Sequence, residues 1–122
     1  MKGKTVIVGS APKPSRYAQK AAAMLAERAF EFVPLGIQEG EVLGREILDI
    51  NDEPKIEEVD TITLYINPTR QKAHYQYFLS LNPKRIVFNP GTENQEFKQM
   101  AEKAGIECQE ACTLVMLSVG NY

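Results

Sequence analysis

Three cations, Lys13, Arg16 and Lys20, follow closely on a glycine and a small hydroxyl residue, Gly9 and Ser10. Ahead of them Val6 to Val8 is an apolar run. Behind them, from about Ser15, the pattern is helical. An apolar run stopped by glycine, then a short Ser/Pro/Lys loop, then a helix, offers backbone N–H groups to an anion. The first N–H groups of a helix have no internal partner, and the aligned peptide dipoles leave partial positive charge there. The chemistry indicated is the binding of a phosphate-bearing nucleotide ligand.

Reactive side chains are few. His74 is the only histidine. It falls early in a helical segment with no residue nearby in sequence to orient it, as general-base work requires. Cys108 and Cys112 with one histidine fall short of a four-ligand zinc site, so no metal is expected. Both thiols read as reduced and mostly buried. No base for a Cys112 nucleophile is identifiable, and no catalytic residue is assigned.

Dinucleotide binding and phosphoacceptor chemistry are both disfavoured. A dinucleotide fingerprint needs G-x-G-x-x-G after the first strand, and here Gly9 stands alone, followed by Ser10-Ala11-Pro12. The carboxyl end of the second strand, read as Val33-Pro34-Leu35, carries no acid for ribose hydroxyls. A phosphoacceptor would need an aspartate ending the third strand, where Asn67-Pro68 stands.

The elements that must position these residues follow from periodicity. Thr5 to Gly9 reads as strand one. Helix one spans about Ser15 to Arg28, capped by Ser15, with Tyr17, Ala21, Met24 and Leu25 on its apolar stripe. Phe30 to Val33 is strand two, ended by Pro34-Leu35-Gly36. The acidic segment from Ile37 to Asp60 predicts a loop, a short extended piece near Glu46 to Leu48, and at most a turn or two of helix around Pro54 to Glu58. Thr61 to Asn67 is strand three. Thr69 caps a helix that runs to about Leu81. Lys84 to Asn89 is strand four, and Thr92 with Gln95 matches a capping box for helix four. Ile106 to Gln109 is strand five. The tail, Cys112 to Tyr122, is apolar as far as Val119 and reads as a last short helix or a partner surface. Alternating strands and helices indicate an α/β fold, a Rossmann-like five-stranded parallel sheet with helices on both faces. Its 122 residues suffice for a single domain over the whole chain.

In such sheets ligands bind beyond the carboxyl ends of the strands. The loops there are Gly9 to Ser15, Pro34 to Gln38, Asn67 to Arg70 and Asn89 to Glu93. They are rich in proline and glycine and poor in acids and bases, which suits binding more than catalysis. A net charge of −2, without a basic run, argues against nucleic acid. No apolar run approaches a membrane span, and no signal-peptide pattern precedes strand one, so a cytoplasmic location with no membrane partner is expected.

Several stretches together carry a family resemblance. They are Val8-Gly9-Ser10-Ala11 with Ser15-Arg16-Tyr17, Glu41-Val42-Leu43-Gly44, Tyr65-Ile66-Asn67-Pro68, Asn89-Pro90-Gly91-Thr92-Glu93-Asn94 and Cys112-Thr113-Leu114-Val115. The chain resembles the small single-domain CoA-binding proteins, which are similar to the N-terminal domain of the succinyl-CoA synthetase alpha subunit. The resemblance implies a Rossmann-like domain that holds coenzyme A or an acyl-CoA. It implies that the backbone at Gly9, Ser10 and Ala11 faces the pyrophosphate, with Ser15 and Arg16 at the helix N-terminus and Lys20 adding charge. It implies Pro34 and Leu35 near the adenosine, and Asn67, Pro68 and Thr69 along the pantetheine arm. The synthetase subunit has a lysine in the loop after strand two, where this chain has Ile37-Gln38-Glu39-Gly40-Glu41. The synthetase's phosphohistidine belongs to a second domain, so its activity is not implied.

Two other readings stay open on the sequence. One is a small enzyme acting on a CoA thioester through Cys112 or His74. The other is an interaction protein that has lost ligand binding, with the apolar C-terminal segment as a homo-oligomer surface.

Overall fold

The computed structural model describes residues 3–13 and 16–122. The backbone runs β1 (Lys4–Val8), α1 (Tyr17–Glu27), β2 (Phe32–Gly36), β3 (Glu41–Val42), β4 (Arg45–Glu46) and β5 (Leu48–Asp49). It continues through β6 (Val59–Leu64), α2 (Pro68–Gln71), α3 (Tyr75–Ser80), β7 (Arg85–Phe88), α4 (Gln95–Lys103), β8 (Glu107–Glu110) and α5 (Thr113–Val119). The main sheet has six strands in the order β5-β2-β1-β6-β7-β8, all paired in parallel. The architecture is the expected Rossmann-like α/β sheet. The count of five is corrected by β5, which pairs with the end of β2 through Leu35 and Gly36.

Two-residue alternation assigns the faces. Val6 and Val8 of β1, with Ile62, Leu64, Ile86 and Phe88, meet Phe78 of α3 and Phe97 of α4. Phe97 packs between Tyr75, stacked at 4.7 Å, and Phe88, edge-on at 6.0 Å. Ile7 and Phe32 point the other way, onto Ala18, Ala22 and Leu25 of α1 and Leu117 of α5. Helix α1 therefore buries a small-residue stripe, Ala18-Ala21-Ala22-Leu25, and sits close to the sheet. Tyr17, expected on the buried stripe, is 66% exposed instead.

Proline marks two further departures. Pro34 does not end β2 but lies inside it, opposite Ile7. The carbonyls of Glu31 and Leu35 turn toward β1, so the period of two points Pro34 the other way. There the next strand begins only opposite Leu35, and the missing N–H costs no ladder bond. Pro68 does not merely stop a strand. It occupies the first turn of α2, and Asn67, not Thr69, is the cap, accepting the Arg70 N–H at 2.9 Å. Helix α4 is likewise capped by Asn94, at 3.0 Å from the Phe97 N–H, while Thr92 donates its hydroxyl back to the Asn89 carbonyl.

Between β2 and β5 the chain forms a β3–β4 hairpin, with Leu43 at φ 51° and Gly44 at φ 80° in its turn. A single 3-10 turn, Ile50–Asp52, follows, and no helix forms at 54–58.

Candidate functional site

Strand order reverses between β1 and β6, since the chain builds outward from β1 first through β2 and β5 and then through β6, β7 and β8. The loops leaving the two strands diverge there and leave a crevice. A cleft of about 130 Å³ occupies it. That is well below the roughly 300–1,000 Å³ that encloses a drug-sized ligand, so a nucleotide seated here would be gripped over part of its length. The end of β1 contributes Gly9, Ser10 and Ala11, and the end of β2 contributes Gly36, Ile37 and Gln38. Tyr65 and Ile66 come from the end of β6, Arg16 from the head of α1, and Arg70 and His74 from the α2 segment.

Two glycines make the floor possible. Gly9 has φ 99°, and a Cβ there would sit 3.1 Å from the Tyr65 carbonyl oxygen. A Cβ on Gly36 would lie 2.3 Å from the Ser10 carbonyl oxygen, so β2 can approach the first loop only with no side chain at that position. The carbonyl of Leu35 accepts from both the Gly9 N–H, at 2.9 Å, and the Ser10 N–H, at 3.1 Å. The loop therefore offers one N–H without a partner among the described residues, that of Ala11, rather than three.

The helix end is more open. Arg16 is the N-cap of α1 and makes no side-chain cap bond, and no acid falls in the first turn. The N–H groups of Tyr17 and Ala18 have no partner among the described residues. Neither do the guanidinium groups of Arg16 and Arg70, both exposed and both lining the cleft.

The turn that carries Arg70 is held by buried polar bonds of its neighbour Gln71. The Gln71 side chain is fully buried, and its Nε2 donates to the Ile66 carbonyl at 2.9 Å and the Thr92 carbonyl at 2.8 Å. Its Oε1 accepts from Asn94 Nδ2 at 3.0 Å, and the same Nδ2 donates to Tyr75 Oη at 2.8 Å. Helix α2 is thus tied to the loop that opens α4. His74 ends the single 3-10 turn between α2 and α3. Its pKa is lowered from 6.5 by burial first, with Arg70 pushing the same way and Glu53 opposing.

The site residues expected from sequence divide into three groups. Gly9, Ser10, Ala11 and Arg16 line the cleft. Pro34 and Leu35 are buried within β2, with Gly36 beyond them at the cleft; Asn67, Pro68 and Thr69 form the link between the lining residues Ile66 and Arg70. Lys20 is exposed on α1 with its ammonium 5.2 Å from the Tyr17 ring centre, and does not line the cleft. Ser15 lies outside the described residues. Arg70 and His74 also line the cleft and were not among the expected site residues, although Asn67 to Arg70 was recognised as a switch loop. The signal available was a cation three residues into a Pro-initiated helix.

A second cavity adjoins the cleft at Tyr65, which lines both. Cys112 lines this second cavity and His74 the first, so the chain's one histidine and its half-buried Cys112 thiol do not share a pocket. No group of three or more His, Cys, Asp or Glu suited to a metal occurs among the described residues.

A sequence profile described as a CoA binding domain matches residues 3–118, nearly the whole chain. The chain belongs to the CoA binding domain family. The crystal structure of an uncharacterized protein shares 51% identity, covering 100% of this chain and 99% of that one, with a TM-score of 0.95. The structure of cell-free ID.343 from Thermus thermophilus shares 26% identity over 98% of this chain and 91% of that one, with a TM-score of 0.81. A hypothetical protein from Pyrococcus horikoshii OT3, at 23% identity, covers 97% of this chain and 83% of its own with a TM-score of 0.82, which speaks to the fold alone. No curated protein matches the chain. As a member of this family the chain is a CoA-binding domain, and none of its described helices is long and apolar enough to cross a membrane.

Proposed function

We infer that this domain holds coenzyme A or an acyl-CoA without turning it over, with the diphosphate at the head of α1 between Arg16 and Arg70. The observation that carries the reading is the pair of guanidinium groups. They come from separate helices, line one cleft at the switch point, and have no anionic partner among the described residues. Two planar cations facing one space suit a diphosphate, which accepts charge-assisted hydrogen bonds from each. The α1 end, whose N–H groups at Tyr17 and Ala18 have no partner among the described residues, and the Ala11 N–H add donors of the same sign. The loop after β2 lacks the lysine that the resemblance led one to expect, and Arg70 supplies a cation from the facing side. Ile37 and Gln38 line the cleft there, while the acids Glu39 and Glu41 do not.

A binding role without turnover accords with the separation of His74 from Cys112, since a nucleophile and its base must lie within hydrogen-bond reach. The reading places the protein in the cytoplasm with a small-molecule partner and without nucleic acid or membrane. The outer face of α5, with Val115 56% and Val119 64% exposed, would be the surface for self-association. Calorimetric titration with CoA, acetyl-CoA, NAD and FMN tests the ligand assignment. CoA and acetyl-CoA are expected to bind; binding of NAD or FMN with none of CoA would reject it.

A further inference from the structure

The cavity beyond Tyr65 is unused by the reading above. It holds about 250 Å³ and its wall is mainly apolar, from Tyr17 at the head of α1, Leu114 at the head of α5 and Pro90 after β7. Asn89, Tyr65 and Cys112 complete it. The Tyr65 hydroxyl oxygen is buried, with the Thr113 and Thr63 side chains against it. It stands beside Thr113 and Cys112, and burial pushes its pKa up to about 12. A half-buried free thiol on the wall of a mainly apolar cavity, which shares Tyr65 with the cleft that Arg16 and Arg70 line, is a place for the end of a ligand arm. Coenzyme A has such an arm, amide-bearing and ending in sulfur, on the far side of its diphosphate.

The other thiol has no such setting. Cys108 lies on β8 against the α3–α4 core. Its Sγ faces the carbonyls of Lys98 and Ile106 at 3.9 and 3.8 Å. Burial, with Glu102 nearby, pushes its pKa up to about 11.

We propose that Cys112 captures coenzyme A covalently by exchange with CoA disulfide, the arm passing Tyr65 into this cavity while the diphosphate rests on the arginine cleft. The proposal rests on the CoA reading of that cleft. Cys112 gives its proton to solvent, and the thiolate attacks one sulfur of CoA disulfide. A new S–S bond joins Cys112 to one CoA as the original S–S bond breaks. The second CoA leaves as a thiolate and takes up a proton. The disulfide is itself the oxidant, so no other is required, and any small thiol reverses the step. The domain would then report the balance between CoA disulfide and free CoA.

The test uses the reduced full chain with equal concentrations of CoA disulfide or glutathione disulfide, quenched in acid and read by intact mass and peptide mapping. Docking raises the local concentration of the reacting sulfur, so CoA disulfide should modify Cys112 at least about tenfold faster than glutathione disulfide. Desulfo-CoA, which has the diphosphate but no sulfur to exchange, should slow this reaction. Arg16→Ala with Arg70→Ala should lower the rate to that of glutathione disulfide. Cys112→Ser should abolish the adduct, and Cys108 should stay unmodified. Equal rates for the two disulfides, or an adduct on Cys108, would overturn the proposal. Desulfo-CoA titrated by calorimetry separates the two ways of failing. If it binds and the rates are equal, covalent capture alone is wrong. If it does not bind, the CoA reading falls and this proposal with it.

Discussion

Replacing Gln71 by leucine tests whether the buried amide network holds the cleft together. The side chain is fully buried and makes three hydrogen bonds, to the carbonyls of Ile66 and Thr92 and from Asn94 Nδ2. Leucine is of similar size and makes none. Asn94 keeps its bond to Tyr75 Oη, so the orphaned groups that matter are the two carbonyls. Each buried polar group left without a partner costs about 1–3 kcal/mol. Burying leucine carbons where an amide stood offsets about 1–2 kcal/mol of the total. The net loss should be about 1–4 kcal/mol, or a fall in Tm of about 5–15 °C for a domain of this size. Urea denaturation should show a lower midpoint with an unchanged slope. Tyr75→Phe, which removes only the outer hydroxyl, should cost about 1 kcal/mol. Because Gln71 anchors the turn that carries Arg70, CoA affinity should also fall in Gln71→Leu at temperatures where the variant remains folded. A variant within about 0.5 kcal/mol of the parent, the usual range for a surface change, would refute the reasoning.

Three further residues, Gly36, His74 and Lys20, carry expectations of their own. Gly36→Ala sets a Cβ 2.3 Å from a backbone oxygen of the first loop, so it should destabilise by about 1–3 kcal/mol or more and weaken CoA binding, read by thermal melting and calorimetry. In the free protein His74 has its pKa below 6.5, so the unfolded chain binds the extra proton more readily and stability should fall as pH drops from 6.5 through that lowered value. A bound diphosphate favours the imidazolium, so His74 should make affinity rise over the same descent. Comparing parent with His74→Gln by calorimetry from pH 7.5 to 5 subtracts the ligand's own titration, and identical pH dependence would contradict it. Lys20→Ala should leave CoA affinity within about twofold, since its charge is exposed on α1 away from the cleft.

The strand, glycine and helix at the start of the chain were legible because local pattern and tertiary role agree there. The apolar run, the positive-φ glycine and the alanine-rich helix all demand the same turn. Tyr17 was misread because a helical stripe gives spacing but not rotation, and three alanines pack closer to a sheet than a tyrosine does. Strand two was cut short because a proline inside a strand is tolerated only when its N faces an unpaired edge, and that depends on where β5 begins. The two-residue β5 has too little sequence of its own to announce itself. The caps at Asn67 and Asn94 compete with nearby threonines of similar capping strength, and the tertiary bonds of Thr92 and Gln71 decide between them. Arg70 could be placed in a switch loop, but not aimed. Its convergence on Arg16 depends on β1 and β6 being neighbours, a fact of strand order that periodicity does not carry.

The central claim is that Arg16 and Arg70 together seat the diphosphate of coenzyme A. Titrating CoA by calorimetry into the parent and into Arg16→Ala/Arg70→Ala at one salt concentration tests it most directly. Each charge-assisted contact is worth about 1.5–3 kcal/mol, so the double variant should bind at least about a hundredfold more weakly while melting at the parent temperature. Equal affinities in the two proteins, or no binding by the parent, would contradict the account.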